Sequence, residues 1–438
     1  MPLLIVFLGI VLLIVLITLV KLESFLSFVI VSIAVGLVVG MRPADLMKSV
    51  EEGLGSTLGS LVMILGFGAM LGKLVAESGA AQRISSKLIH LFGIKNIQWA
   101  MMLTGFIVGV SMFYSVAFVI LVPLIFTVAA STRLPLLYVG IPMIASLSVT
   151  HGFLPPHPSP SAISVMFKAD IGKTLLYGII IAVPVIILAG PLFARTLKKI
   201  PAKPLKEFVN PRILTEEEMP GMTVSVLTAI LPVILIIVST IINLTSLKEK
   251  TIGQISGFIG NPSVALLISV LVAIYTLGLA RGKTMKDLSG TMSRSVVSIT
   301  MVLLIISGAG ILKQVLIDSG VSDYIAGLLA KSNLSPLFLG WLIAAVLRIS
   351  VGSATVSALT AGGIVLPIVS AGSVNAELMV ISIGAGSLML SQVNDVGFWM
   401  YKEYFSLSLK DTLRTWTVME TIVGTCGLIG VLLLNSIL

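Results

Sequence analysis

The stretch Leu65-Gly-Phe-Gly-Ala-Met-Leu-Gly-Lys-Leu-Val-Ala-Glu-Ser-Gly79 returns, 241 residues later, as Ile306-Ser-Gly-Ala-Gly-Ile-Leu-Lys-Gln-Val-Leu-Ile-Asp-Ser-Gly320. At that offset Leu71 and Leu312, Ser78 and Ser319, Gly79 and Gly320, Ile84 and Ile325, and Leu88 and Leu329 are identical, and Glu77 answers Asp318. Each copy is followed by an apolar span, a Gly/Ser-rich apolar segment with a proline (Pro123, Pro367), another span, and a broken polar segment. Further on, Asp170-Ile-Gly-Lys-Thr-Leu175 answers Ser408-Leu-Lys-Asp-Thr-Leu413. Chance likeness between apolar segments does not account for the shared order of features. Interrupted hydrophobic segments in matching places of two halves point to a secondary transporter with its substrate held between the repeats near the bilayer midplane.

The rest of the chain fits. Of 438 residues 57% are hydrophobic and 11% charged, against about 25% charged in soluble domains. Mean hydropathy is +1.12. That composition excludes a soluble enzyme, a nucleic-acid binder, a disordered chain and a disulfide scaffold. Runs such as 1–20 are continuously apolar, without the alternation of a membrane β-barrel. The expected fold is an all-α polytopic membrane protein of two inverted repeats with broken helices or re-entrant hairpins. At about 20 residues per span the length allows on the order of ten to fourteen spans. The first apolar run has no basic leader region and no small-residue cleavage site, and reads as a span that stays.

The net charge is +9, carried by loops. The polar stretch Ala194–Gly221 holds Arg195, Lys198, Lys199, Lys203, Lys206 and Arg212. It divides the chain into an N-terminal half, 1–193, a linker, 194–221, and a C-terminal half, 222–438. A second basic stretch, Arg281–Arg294, lies two spans further on, so both basic loops face one side, the cytoplasm by the positive-inside rule. One cysteine, Cys426, and three histidines leave no basis for a disulfide or a metal cluster, and no cofactor or metal is expected.

Four segments carry polar chemistry inside this apolar frame. His151-Gly-Phe-Leu-Pro-Pro-His-Pro-Ser-Pro160 has four prolines in ten residues and cannot be a regular helix. Unwound backbone at membrane depth must be sheltered by protein or a watery cavity. It reads either as an extramembrane loop or as a helix break presenting His151 and His157 to substrate. Ser391-Gln-Val-Asn-Asp-Val-Gly-Phe-Trp399 is its counterpart, with Asn394 and Asp395 at the end of a span; an interfacial Asp with a Trp anchor is the plainer reading. Gly352-Ser-Ala-Thr-Val-Ser-Ala-Leu-Thr-Ala-Gly-Gly363 is rich in hydroxyls and glycine, suited to tight helix packing or to a hairpin tip whose amides face an anion. Arg348 precedes it, either snorkelling to an interface or held as the bidentate partner of a substrate carboxylate. The first-half equivalent, Gly109–Ala117, offers Ser111, Tyr114 and Ser115 but no charge.

On Leu147-Ser-Val-Thr-His-Gly-Phe-Leu-Pro-Pro-His-Pro158, Gly66-Phe-Gly-Ala-Met-Leu-Gly-Lys73, Gly352-Ser-Ala-Thr355 and the Asn394-Asp395 to Gly397-Phe-Trp399 segment, the chain resembles the gluconate:proton symporters over essentially its whole length. The resemblance implies a multi-pass bacterial inner-membrane permease for gluconate or a related sugar acid, in a family that includes a D-serine branch. A distant likeness to the wider ion-transporter superfamily implies a homodimeric, elevator-type architecture. Where the family usually has Phe-Tyr-Glu-Val-Gly, this chain has Phe113-Tyr114-Ser115-Val116-Ala117, so an acidic residue is missing. Ser159, Gln392 and Val396 replace a usual Gly, His and Pro.

The sequence therefore reads as a secondary transporter, not an enzyme, importing a small hydroxylated carboxylate with protons. The expected substrate contacts are Arg348, Ser353, Thr355, His157, Asn394 and Ser115. The expected proton-coupling groups are Asp395, His151 and His157. Related substrates such as idonate, ketogluconate, glycerate or D-serine are the alternatives. An intramembrane enzyme is disfavoured because no nucleophile-plus-base pattern accompanies the two histidines.

Overall fold

The computed structural model describes residues 2–204, 214–243, 245, 249–320, 334–372, 374–393 and 395–438. Among them there are helices and turns but no strand. Ile325, Leu329, Lys206, Arg212 and Asn394 lie outside the described residues. The first half runs through α1 (Pro2–Thr18), α2 (Ser24–Val39), α3 (Pro43–Glu77), α4 (Ala80–Phe92), α5 (Ile97–Ser111), α6 (Tyr114–Thr132), α7 (Leu136–Phe153), α8 (Pro158–Phe167) and α9 (Ile171–Ile187). The second runs through α10 (Met222–Asn243), α11 (Thr251–Ile259), α12 (Pro262–Ala273), α13 (Met285–Asp318), α14 (Pro336–Val351), α15 (Ala354–Ser370), α16 (Ala376–Gly386), α17 (Val396–Tyr404), α18 (Leu409–Thr412) and α19 (Val418–Asn435). One turn of π-helix, Leu413–Thr417, joins the last two into one continuous helix.

Among the described residues seven helices are long and apolar enough to cross a membrane, or eight if α4 and α5, bent by 111°, count as one broken span. The expectation of ten or more spans is not met by unbroken helices. The difference is made up by shorter apolar helices, among them α2, α14, α15 and α16. At 1.5 Å per residue a 16-residue helix reaches about 24 Å, short of a hydrocarbon core of about 30 Å. The interrupted segments are thus half-helices.

Each interruption has a local cause. Gly352, at φ +82°, ends α14 in the left-handed region that glycine tolerates, and its N–H donates to the Arg348 carbonyl at 2.9 Å. Ser353 is extended and caps α15, its Oγ accepting from the Val356 N–H at 3.3 Å. α7 stops at Phe153 because Leu154 is extended and Pro155, Pro156 and Pro158 supply no N–H. Asp395 caps α17 by accepting from the Gly397 N–H at 3.0 Å. In the first half, Met112 and Phe113 are extended between α5 and α6.

These elements recur along the chain in one order. The pairs starting at Pro43 and Met285, Ile97 and Pro336, Tyr114 and Ala354, Leu136 and Ala376, Pro158 and Val396, and Ile171 and Leu409 are 238 to 242 residues apart. α3 and α13 also end alike, with Ser78 and Ser319 helical and Gly79 and Gly320 left-handed at φ +80° and +73°.

These two long helices pack antiparallel. The Thr291 hydroxyl near the start of α13 donates to Glu77 at the end of α3 at 2.8 Å, and the Ser49 hydroxyl near the start of α3 donates to Asp318 at the end of α13 at 2.6 Å. The end of α3 also meets the basic loops. Arg281 donates to the Glu217 carbonyl at 2.6 Å, and Lys283 to the Glu77 carbonyl at 3.3 Å. Arg83 on α4, itself buried, ion-pairs with Glu216 and donates to the Pro220 carbonyl at 2.8 Å. Its guanidinium holds the Glu216 carboxyl below the usual carboxylate range. The two basic stretches therefore lie at one end of the molecule, and the start of α3 lies at the other.

Packing between the halves brings backbone against backbone where α7 crosses α16: a Cβ added to Gly384 would stand 2.1 Å from the Gly152 carbonyl oxygen. No methyl fits there without backbone movement, and overpacking of this kind costs about 1–3 kcal/mol. Gly384→Ala should unfold earlier than the parent in a thermal melt in detergent; coincident melts would show that the crossing yields. In a Cys426→Ser background, a membrane-impermeant thiol reagent added to intact cells should label Lys48→Cys. The same reagent should reach Lys199→Cys only after permeabilisation. Labelling of both from outside would overturn the assignment of ends.

Candidate functional site

The polar segments meet in one cavity of about 580 Å³. Its wall includes the first residues of four half-helices: Tyr114 of α6, Pro158 of α8, Ala354 and Thr355 of α15, and Val396 and Gly397 of α17. Each helix start carries backbone N–H groups without intrahelical acceptors and the positive end of the peptide dipoles. Four such ends around one space favour an anion there.

Arg348 supplies the full charge. It sits in the last turn of α14, 3% exposed, and lines the cavity. One guanidinium nitrogen donates to the Gly352 carbonyl and another forms an ion pair with Asp395. Its Nε–H has no partner among the described residues. Both Asp395 oxygens are engaged, because the Ser391 hydroxyl and the Gly397 N–H donate to them as well. Ser391 in turn accepts from the Trp416 indole N–H at 2.6 Å. A relay thus runs from the π turn before α19, through Ser391 and Asp395, to Arg348 and the break between α14 and α15. Arg348 does not snorkel: its charge is turned inward and paired.

Tyr114, His151 and Trp416 form an aromatic wall, with Tyr114 6.0 Å from the His151 ring and 6.1 Å from the Trp416 ring. The Tyr114 hydroxyl and the His151 Nδ1 have no hydrogen-bond partner among the described residues. Ser353 and Thr355 also line the cavity.

His157, expected as a substrate contact, is placed otherwise. It is 2% exposed, does not line the cavity, and stands behind His151 with ring centroids 5.4 Å apart. Its Nε2 lies 2.8 Å from the Gly109 carbonyl near the end of α5. The reason is local: the last carbonyls of α5 lack intrahelical donors, and a buried imidazole N–H satisfies one. Ser115 falls in the first turn of α6, next to Tyr114. Asn394 is outside the described residues.

Sequence reasoning passed over Glu420. It lies two residues into α19, 1% exposed, on the cavity wall, with both carboxyl oxygens within 2.7 and 2.9 Å of the Ser148 hydroxyl of α7. The signal was present, since a single acidic residue in the apolar run 418–434 is expensive and calls for a function. Among the described residues no group of three or more His, Cys, Asp or Glu is placed to hold a metal ion.

Residues 1–437 match the model of the GntP family permeases. The chain is 52% identical over 439 residues to a high-affinity gluconate transporter of Escherichia coli, and 49% identical over 438 residues to the L-idonate transporter of the Gnt-II system of the same organism, each match covering all of both chains. It is 48% identical over 450 residues to a gluconate permease of Bacillus subtilis, again with full coverage of both. Among solved structures, the YdaH transporter of Alcanivorax borkumensis superposes with a TM-score of 0.65 at 14% identity, covering 94% of this chain and 97% of that one. The MtrF efflux pump of Neisseria gonorrhoeae gives 0.64 at 13% identity, covering 90% and 85%. At such low identity these two speak for the fold alone. The whole-length family match, the spans and the buried polar cavity agree: this chain belongs to the GntP family of permeases, as a multi-pass inner-membrane transporter and not an enzyme.

Proposed function

We propose that this permease is a secondary active transporter importing gluconate, or a closely related small sugar acid, together with protons. The observation that carries the reading is the buried Arg348 at the meeting point of four helix N-termini. The cavity volume lies within the range of about 300–1,000 Å³ usual for small-molecule sites. Arg348 keeps N–H donors beyond its bonds to Gly352 and Asp395, and these suit the fork of a substrate carboxylate. Ser353, Thr355 and Tyr114 line the same space and carry hydroxyls suited to a polyol; Ser115, beside Tyr114, and Asn394 are the further contacts read from the sequence.

Charge balance supports proton coupling. Arg348 and Asp395 already neutralise one another. A bound monocarboxylate would leave a net negative charge in a low-dielectric cavity, which is costly. A proton entering with the anion removes it. Asp395 and His151, on the wall, and His157, behind it, are the carriers read from the sequence.

The architecture belongs to the same reading. The halves 1–193 and 222–438, joined by the basic linker 194–221, are taken as repeats related by a rotation about an axis in the membrane plane. The antiparallel α3 and α13 and the even spacing of helix starts support this. A homodimer working as an elevator is part of the proposal, on the superfamily likeness. The L-idonate relative, nearly as similar as the gluconate one, supports idonate as the second substrate reading.

In proteoliposomes, labelled gluconate should accumulate against its gradient when the lumen is alkaline, and unlabelled gluconate and idonate should compete far better than glycerate or D-serine. Equilibration without accumulation would make the protein a passive channel, and no gluconate uptake would sink the substrate. Arg348→Lys keeps the charge but not the fork. Losing one charge-assisted hydrogen bond of about 1.5–3 kcal/mol should weaken apparent affinity about tenfold to a hundredfold. Arg348→Ala should abolish uptake. Either variant transporting within about twofold of the parent, at equal membrane abundance, would remove Arg348 from the site.

A further inference from the structure

We infer that Glu420 is the residue that holds the coupling proton, in a carboxyl–hydroxyl pair with Ser148. The inference rests on the transport reading above and adds a carrier that the sequence did not suggest. Both Glu420 oxygens face one hydroxyl, at 2.7 and 2.9 Å, and one hydroxyl has a single proton to give. Among the described residues no Lys, Arg or His lies within ion-pair distance of it, although it is 1% exposed. An ionised carboxylate so placed is an uncompensated buried charge, whereas a protonated one is a neutral donor and acceptor.

Asp395 is in the opposite position. It is paired with Arg348 and filled by donors from Ser391 and Gly397, so its charge is spent on holding the guanidinium in place. The titratable and charged groups sharing the cavity with Glu420 are Tyr114 on α6, His151 on α7, Arg348 on α14 and Asp395 before α17. Arg348 is the cation among them. A substrate carboxylate that draws on Arg348 leaves less of its field for Glu420, which favours the protonated acid while the anion is bound. Loss of the substrate returns that field and makes the proton easier to release. Glu420 would thus hold its proton more tightly while the substrate is bound.

Two measurements on the full-length protein test this. Infrared difference spectra at neutral pH, parent minus Glu420→Gln, should show the C=O stretch of one protonated carboxyl. Its absence overturns the inference whatever the transport result. In proteoliposomes the ratio of pH-driven gluconate accumulation to gluconate homo-exchange should fall at least tenfold in Glu420→Gln and recover in part in Glu420→Asp. A ratio within twofold of the parent overturns it. If Glu420→Gln does not reach the membrane, Ser148→Ala decides: the midpoint of its accumulation-versus-pH profile should move by half a unit or more, and an unmoved midpoint counts against the pair. Failure of the parent itself to concentrate gluconate would fall on the transport reading, and the infrared result would still judge Glu420.

Discussion

A guanidinium buried at 3% exposure cannot stand without a counter-charge, and much of the cavity is arranged around that need. Removing one partner of a buried pair costs about 3–5 kcal/mol, because the other is left as an isolated charge. Asp395 meets the requirement, and the relay from Trp416 through Ser391 keeps Asp395 in place. The pair thereby ties α14 to the loop before α17 and to the last helix. The pair itself adds no net charge to the cavity.

The second constraint is the peptide backbone. A helix that stops inside a bilayer exposes amides and carbonyls that lipid cannot satisfy. Here the breaks are stacked against one another, so that four amide ends share a single polar space while carbonyl ends are met by protein donors. The Gly109 carbonyl is met by His157, and the Gly352 carbonyl by Arg348. The same economy explains why His157 is structural in this state. Its imidazole closes the end of α5, and His151, in the last turn of α7, faces the cavity instead. Half-helices too short to cross the membrane are therefore the means by which a site is built at depth.

Much of this was legible in the sequence, for a physical reason. Apolar runs, prolines and glycines act locally, so the breaks at 112–113, 154–157 and 352–353 and the pairing of the two halves could be read from residue types and spacing. The rule that polar breaks seek common shelter led to the expectation of His157, Asn394, Asp395 and Ser353 around one cavity; Ser353 and Asp395 line it, His157 stands behind His151, and Asn394 lies outside the described residues. What could not be read depended on rotation about helix axes and on register between distant helices. Nothing local distinguishes His151, which lines the cavity, from His157, which does not. Arg348 was expected to face a substrate alone, but its pairing with Asp395 spans 47 residues and three helices. Glu420 was hidden by its setting, a single carboxyl in a long apolar run whose partner Ser148 lies 272 residues away.

The division of labour in the cavity bears on selectivity. Every sugar acid carries the same carboxylate, so under the proposed reading Arg348 and the helix ends would supply affinity that is common to all of them. Discrimination has to come from the other end of the substrate. Gluconate and idonate differ in the direction of one hydroxyl. A site that pairs each hydroxyl with a buried group rejects the epimer strongly, because the inverted position leaves protein donors unsatisfied. A site that leaves that position against an aromatic face or in bulk cavity space rejects it weakly. Ser353 and Thr355 offer few hydroxyls for a polyol, and the cavity wall also includes the Tyr114, His151 and Trp416 rings. Such a wall reads shape more than hydrogen-bond direction. A site of that build would hold the acid end of its substrate tightly and its hydroxyl end loosely.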